Sequence, residues 1–420
     1  MSTKTIIKPR GTQDLYYQKA KKYQNIFGKF SNIATTYGFS LINTPIFENI
    51  ETYVRSVGST SDIVKKEFYN FLDKGDREIA LRPEGTAGVV RCVVENKLLF
   101  TNPAPLMFYY YGPMFRYERP QSKRLREFNQ FGCEIFNSNS IFDDFNIIKF
   151  SLDCLNAINI KNVSISLNNI GNFESREKWI IALKEYFLPY KSQLNELNQE
   201  RLEKNPTRIL DDKEDGEKDF VKNAPKISSF LSEKEISEFN DLENLLKVFG
   251  TNYKINDNLV RGLDYYTNTV FEIVDEQGVA IGGGGRYGKL VEEFGGSDVQ
   301  CTGMAFGIDR IINYLDENKI DDGMDDTISI DVVFACIDKT AQIKTLKFLE
   351  ECRKNGIKCI CNFSLTKLDK VFNYAEKMNA TYVFIVGENE IKNNTITCKN
   401  ILTKVQTNDS LENLINKLKK

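Results

Sequence analysis

The strongest constraint on this chain is a pair of ten-residue apolar segments, "LMFYYYGPMF" (106–115) and "EFNQFGCEIF" (127–136). Both are rich in aromatic residues and have strand length. Only eleven residues separate them, and those residues hold five cations: Arg116, Arg119, Lys123, Arg124 and Arg126. Arg116 falls at the end of the first strand, where position is well defined. The other cations lie on a longer excursion. A guanidinium is a planar fork of donors that fits phosphate and stays charged at every relevant pH. One fixed arginine plus several on a loop suits a small nucleotide together with a polynucleotide. A solvated hairpin tip would carry the same charge, so charge alone does not choose.

Other segments define the surroundings. Residues 15–37 have apolar positions at helical spacing, and Gly38 follows as a stop. "FSLINTPIFE" (39–48) reads as one strand with Pro45 inside it, which suits an edge or an interface. "EIALRPEGTAGVVRCVVEN" reads as a strand, a turn at 83–85 and a helix. Strands interleaved with long helices predict an antiparallel sheet with helices packed on it, an α+β fold. Residues 172–247 turn polar and helical, as an inserted subdomain would. "ENKIDDGMDD" (317–326) reads as an acidic linker. From 328 onward a strand, a helix over 339–354, a strand over 357–361, a helix over 367–379 and the strand "TYVFIVG" form a βαβ progression. The expected domains are 1–325 and 326–420.

The chain has 420 residues and a net charge of −2, so polyanion binding must rely on local patches. Residues 327–420 hold 15 Lys and Arg against 10 Asp and Glu, a balance of +5 that leaves −7 for the remainder. No apolar run of about 18 residues is present, and the N-terminus lacks a segment of signal-peptide length. Nine scattered cysteines then read as reduced thiols in a cytoplasmic protein. The chain contains no histidine, which removes imidazole as base, nucleophile or metal ligand. Chemistry must run on Arg, Glu, Asp, Lys, Tyr or Cys.

Three further stretches carry candidate chemistry. "LRPEGT" puts Glu84 and Thr86 on a turn. "QFGCE" puts Gln130 and Glu134 on one face of a strand. "RGLDYYT" adds Arg261, Tyr265 and Tyr266. Carboxylates, an amide and phenols suit a small, cationic, hydrogen-bonding substrate. "GGGRYG" (283–288) matches a dinucleotide fingerprint formally, but that fingerprint expects an acidic residue at the end of the next strand about 20 positions on, and Asp309, at nearly that distance, opens a helix and is followed by Arg310. Close approach of backbone to a ligand or another strand is the better reading of the glycines.

In this order, "PRGTQD", "LRPEGTAG", "FRYERPQ…EFNQFGCE", "RGLDYYTNTVFE", "GGGRYG" and "GMAFGIDRI" resemble the motifs of histidyl-tRNA synthetases, class II aminoacyl-tRNA synthetases. "YGFSLINTPIFE" matches the dimer-forming motif loosely. The resemblance implies a class II antiparallel sheet flanked by helices, a helical insertion and a separate C-terminal α/β anticodon-binding domain. It implies ATP-dependent ligation of L-histidine to histidine tRNA through an adenylate, with Mg²⁺ arriving on ATP, no protein-bound zinc or other metal, a homodimer and no membrane. A histidine-sensing regulatory subunit is the alternative.

Residue by residue, the resemblance implies that Arg116 and Arg261 are catalytic. Glu118, Phe128 and Arg310 join Arg116 around ATP. Glu84, Gly85, Thr86, Arg116, Gln130, Glu134, Arg261, Tyr265, Tyr266 and Tyr287 bind histidine. Arg119, Gln121 and Arg126 meet the acceptor end of the tRNA. Many relatives carry His at positions 117 and 129, where this chain has Tyr117 and Asn129, and Asp at position 288, where it has Gly288.

Overall fold

The computed structural model describes residues 5–57, 67–118, 125–210, 212, 214–263, 265–323 and 330–419. The chain divides into two compact units, one over 1–15 and 22–324 and the other over 16–21 and 325–420. Among the described residues, no helix is long and apolar enough to cross a membrane. All nine cysteines are free.

In the larger unit, eight strands form a sheet in the order Ser40–Leu41, Leu106–Phe115, Glu127–Phe136, Cys301–Gly307, Ala280–Tyr287, Thr267–Asp275, Val163–Asn169 and Tyr253–Ile255. The inner six pair antiparallel, and the two short outer strands add in parallel. The two apolar segments form a long hairpin whose register runs from Leu106 opposite Phe136 to Phe115 opposite Glu127. The Arg116 N–H donates to the Arg126 carbonyl at 2.9 Å, carrying the pairing one step beyond the strands.

Side-chain alternation separates the two faces of this sheet. Phe131, Cys133, Ile135, Met304 and Phe306 bury against helices Tyr17–Thr36, Ile141–Ala157 and Ile308–Asn318. The opposite face carries Tyr110, Met114, Phe136, Val270 and Tyr287, packed with Val89, Val90 and Val93 of helix Thr86–Glu95. Gln130 and Glu134 share this second face. Arg286 leaves the sheet to pair with buried Asp144 at 2.6 Å, tying the sheet to helix Ile141–Ala157.

The insertion has its own core around Trp179, Leu183, Phe187, Leu202 and Ile209. Its last helix, Glu233–Val248, starts with a Ser232–Glu235 capping box. Val260 joins that core while its neighbour Leu259 packs under the main sheet, so the segment leading to Arg261 is held from both sides.

Some expectations need correction. The single strand expected over 39–48 is two short strands, Ser40–Leu41 and Phe47–Asn49, in different sheets. Between them the Ile42 N–H donates to the Tyr109 carbonyl at 2.9 Å and the Arg82 N–H to the Ile46 carbonyl at 2.8 Å, while the buried Arg82 side chain donates to the Thr44 carbonyl at 3.0 Å and to the Pro113 carbonyl at 2.8 Å, so the middle of the crossing is held by a side chain. Phe47–Asn49 instead joins Glu78–Leu81 and Asn70–Leu72 in a three-stranded sheet. The linker expected at 317 starts later, because helix Ile308–Asn318 runs through Glu317 and Asn318.

The smaller unit has a five-stranded sheet in the order Cys359–Cys361, Val332–Cys336, Tyr382–Val386, Ile396–Asn400 and Gln406–Asp409. The first three strands are parallel, as the βαβ pattern predicts. The last two add antiparallel and lead into helix Leu411–Leu418.

Candidate active site

On the second face of the large sheet lies a cavity of about 420 Å³. Its lining includes Glu84, Thr86, Arg116, Glu118, Phe128, Gln130, Glu134, Arg261, Tyr265, Tyr266, Tyr287 and Arg310. Groups from four distant stretches of sequence thus converge on one space. Gly85 is not part of the lining. A Cβ there would run into the Tyr110 ring, so its lack of a side chain makes room for that tyrosine. Arg126 also lies off the lining, with its guanidinium 4.0 Å from the Tyr117 ring centroid. Arg119 and Gln121 lie outside the described residues.

The acidic end of the cavity is built on helix Thr86–Glu95 and the central strands. Glu84 accepts from the Thr86 and Ala87 amides at 2.6 and 2.9 Å, using the free N–H groups of that helix's first turn. Glu134 accepts from the Thr86 hydroxyl at 2.8 Å and the Tyr287 hydroxyl at 2.7 Å. A Cβ on Gly303, its cross-strand neighbour, would collide with its carboxylate. Burial raises the pKa of both carboxyls. For Glu134 burial outweighs its hydrogen bonds, and Glu84's charge adds to it, pushing the group up to about 8.

The cationic end holds Arg116 and Arg261. Arg116 Nε donates to the Pro83 carbonyl at 2.9 Å, and its guanidinium sits 5.4 Å from the Phe128 ring centroid. Arg261 pairs with Glu272 and lies over Gly283, where any Cβ would come within 2.9 Å of Nη1. That close approach is one use of the glycine run, which forms the middle of strand Ala280–Tyr287. The buried Arg261 Nε and Gln130 Oε1 have no partner among the described residues. Arg310 Nη1 donates to the Ala280 carbonyl at 3.2 Å.

Three polar residues of the site were not expected from sequence. Tyr110 reaches Glu134 at 3.4 Å, Glu272 holds Arg261, and Asp309 joins the lining. Glu272 left a signal, an acid inside the apolar strand "TVFEIV". Tyr110 left none among its neighbouring tyrosines.

The family model for histidyl-tRNA synthetase matches residues 11–311, and one for an anticodon binding domain matches 331–420. The chain belongs to the histidyl-tRNA synthetase family. It is 46% identical over 421 residues to the histidine–tRNA ligase of Malacoplasma penetrans, covering 99% of this chain and 98% of that one. It is 42% identical to that of Mycoplasma mobile, covering 99% and 93%. The apo histidyl-tRNA synthetase of S. aureus shares the fold with a TM-score of 0.84 and 32% identity, covering 99% of this chain and all of that one. Family membership accounts for the α+β architecture with its separate C-terminal domain.

Proposed function

We propose that this chain ligates L-histidine to histidine tRNA at the expense of ATP, by way of a histidyl-adenylate. The observation that carries the reading is the convergence of two cations and two buried carboxyls on one cavity. Histidine offers an ammonium and an imidazole N–H as donors, and the Glu84–Glu134 end supplies acceptors and hydroxyls. The amino acid's carboxylate then points toward Arg116 and Arg261. Its oxygen attacks the α-phosphorus of ATP, the bond to the β-phosphate oxygen breaks, and pyrophosphate leaves with the electron pair. This carboxylate is already ionised at neutral pH, so the step needs no general base, consistent with a chain that contains no histidine. Positioning and charge neutralisation account for such a transfer.

Phe128 stacks on adenine, Glu118 accepts from its amino group and Arg310 takes the γ-phosphate. Mg²⁺ bound with ATP would supply further charge neutralisation at its phosphates. Arg119, Gln121 and Arg126 meet the acceptor end of the tRNA. The 331–420 domain reads the anticodon. Domain limits of 1–325, with the insertion over about 172–247, and 326–420 fit this division. Exposed Phe47, Phe71 and Leu72 on the three-stranded sheet favour a homodimer, and the chain works in the cytoplasm. A histidine-sensing regulatory subunit is the weaker reading, because the anticodon-binding domain and the "RGLDYY" segment are both present.

Histidine-dependent exchange of pyrophosphate into ATP tests the reading, followed by charging of histidine tRNA. Exchange with histidine and no other amino acid is the expected result. No exchange from folded protein would overturn it.

A further inference from the structure

The "PRGTQD" segment lies outside the cavity lining, yet it ties together two elements that border the nucleotide end. The Gly11 carbonyl accepts the Arg126 N–H at 2.7 Å and the Glu127 N–H at 3.3 Å, where the hairpin's second strand begins. Gly11 has φ +85°, and a Cβ there would come within 2.8 Å of Arg126 Cγ, so the segment lies flat on that side chain. A turn closed by the Thr12 hydroxyl on the Pro9 carbonyl, at 2.8 Å, then aims Gln13 inward.

Gln13 donates to the Asp309 carboxylate and, at 2.8 Å, to the Tyr23 hydroxyl. Tyr23 is buried and donates to the same carboxylate at 2.5 Å. The other Asp309 oxygen accepts the Asn129 N–H at 2.6 Å. Asn129 stands between Phe128 and Gln130, and Asp309 stands beside Arg310. A buried carboxylate is tolerated when hydrogen bonds saturate it, and three donors from three elements do so here. Each bond fixes backbone or helix start next to a residue assigned to ATP.

We propose that residues 9–14 are a strap that positions the nucleotide-binding residues, with Gln13 and Asp309 as positioning residues for Phe128 and Arg310. The proposal rests on the assignment of those two residues to ATP. Gln13 does not touch substrate. It sets where the adenine platform and the phosphate-binding arginine stand relative to each other.

The test uses full-length protein in histidine-dependent pyrophosphate exchange. Gln13→Met keeps length and loses the donor. It is expected to lower kcat/KM for ATP about tenfold, the range of a lost hydrogen bond to a charged group. At saturating ATP, kcat/KM for histidine is expected to stay within about twofold of wild type. A merely structural role would lower both together, along with the melting temperature. Tyr23→Phe keeps the ring in the core and removes one donor, and it must show the same split in smaller measure. Equal losses for both substrates, or none for ATP in either folded variant, overturn the strap. A wild type without exchange refutes the functional assignment instead, so the two failures are distinct.

Discussion

Glu134 offers a prediction whose magnitude follows from its surroundings. Its carboxyl is 1% exposed, and burial pushes its pKa from the ordinary 4.5 to about 8. Below pH 4.5 the folded and unfolded chains both hold this proton, and its stabilising effect is fully present. As pH rises toward 8 the unfolded chain gives up the proton first, so stability is lost and then levels off above 8. Moving from 4.5 to about 8, at ~1.4 kcal/mol per pH unit, corresponds to a loss of about 5 kcal/mol from this group. Glu134→Gln removes the titration. Its amide keeps one acceptor, and the Thr86 and Tyr287 hydroxyls can rotate to meet the new donor, at a cost of roughly 1 kcal/mol. At pH 5 the variant should therefore be about as stable as wild type or slightly less so. At pH 9 it should be more stable by roughly 3–4 kcal/mol. Urea unfolding of ligand-free protein, followed by circular dichroism at pH 5, 7 and 9, measures the difference. Parallel pH profiles for the two proteins would refute the argument. Exchange activity should move the other way, with kcat/KM for histidine falling at least about tenfold as the acceptor for the substrate is lost.

Arg176, on the insertion's first helix, donates to the Tyr266 carbonyl at 3.0 Å. Arg176→Ala should raise KM for histidine by about three- to tenfold while KM for ATP stays constant, as exchange kinetics would report. Gly303→Ala places a methyl against the Glu134 carboxylate and within 2.7 Å of the Cys133 carbonyl. It should cost about 1–3 kcal/mol in melting experiments and abolish histidine activation in the exchange assay. Chelator treatment should stop exchange, and adding back Mg²⁺ alone should restore it.

The hairpin around the cationic loop was legible because aromatic strands of ten residues have few other uses. The strand–turn–helix at Glu84 was legible for a similar reason, since Pro83 and Gly85 punctuate it. The crossing at 42–46 was not, because its middle, at Thr44, is held by the Arg82 side chain, 38 residues away in sequence. The last two strands of the smaller unit, "ITCKN" and "QTND", are short and polar, and they gain strand character only by pairing with Tyr382–Val386 and each other. In the site, charged and aromatic residues inside motifs could be named from sequence. Their supports could not. Glu272 under Arg261 and the Gln13–Asp309 link depend on strand register and on contacts between segments almost 300 residues apart.

Neutralising the two cations tests the central claim most directly. Arg116→Gln and Arg261→Gln, each assayed as folded protein, should lower the kcat of histidine-dependent pyrophosphate exchange by about 10²- to 10³-fold, as loss of a transition-state charge partner does. Exchange at the wild-type rate in either variant would contradict it.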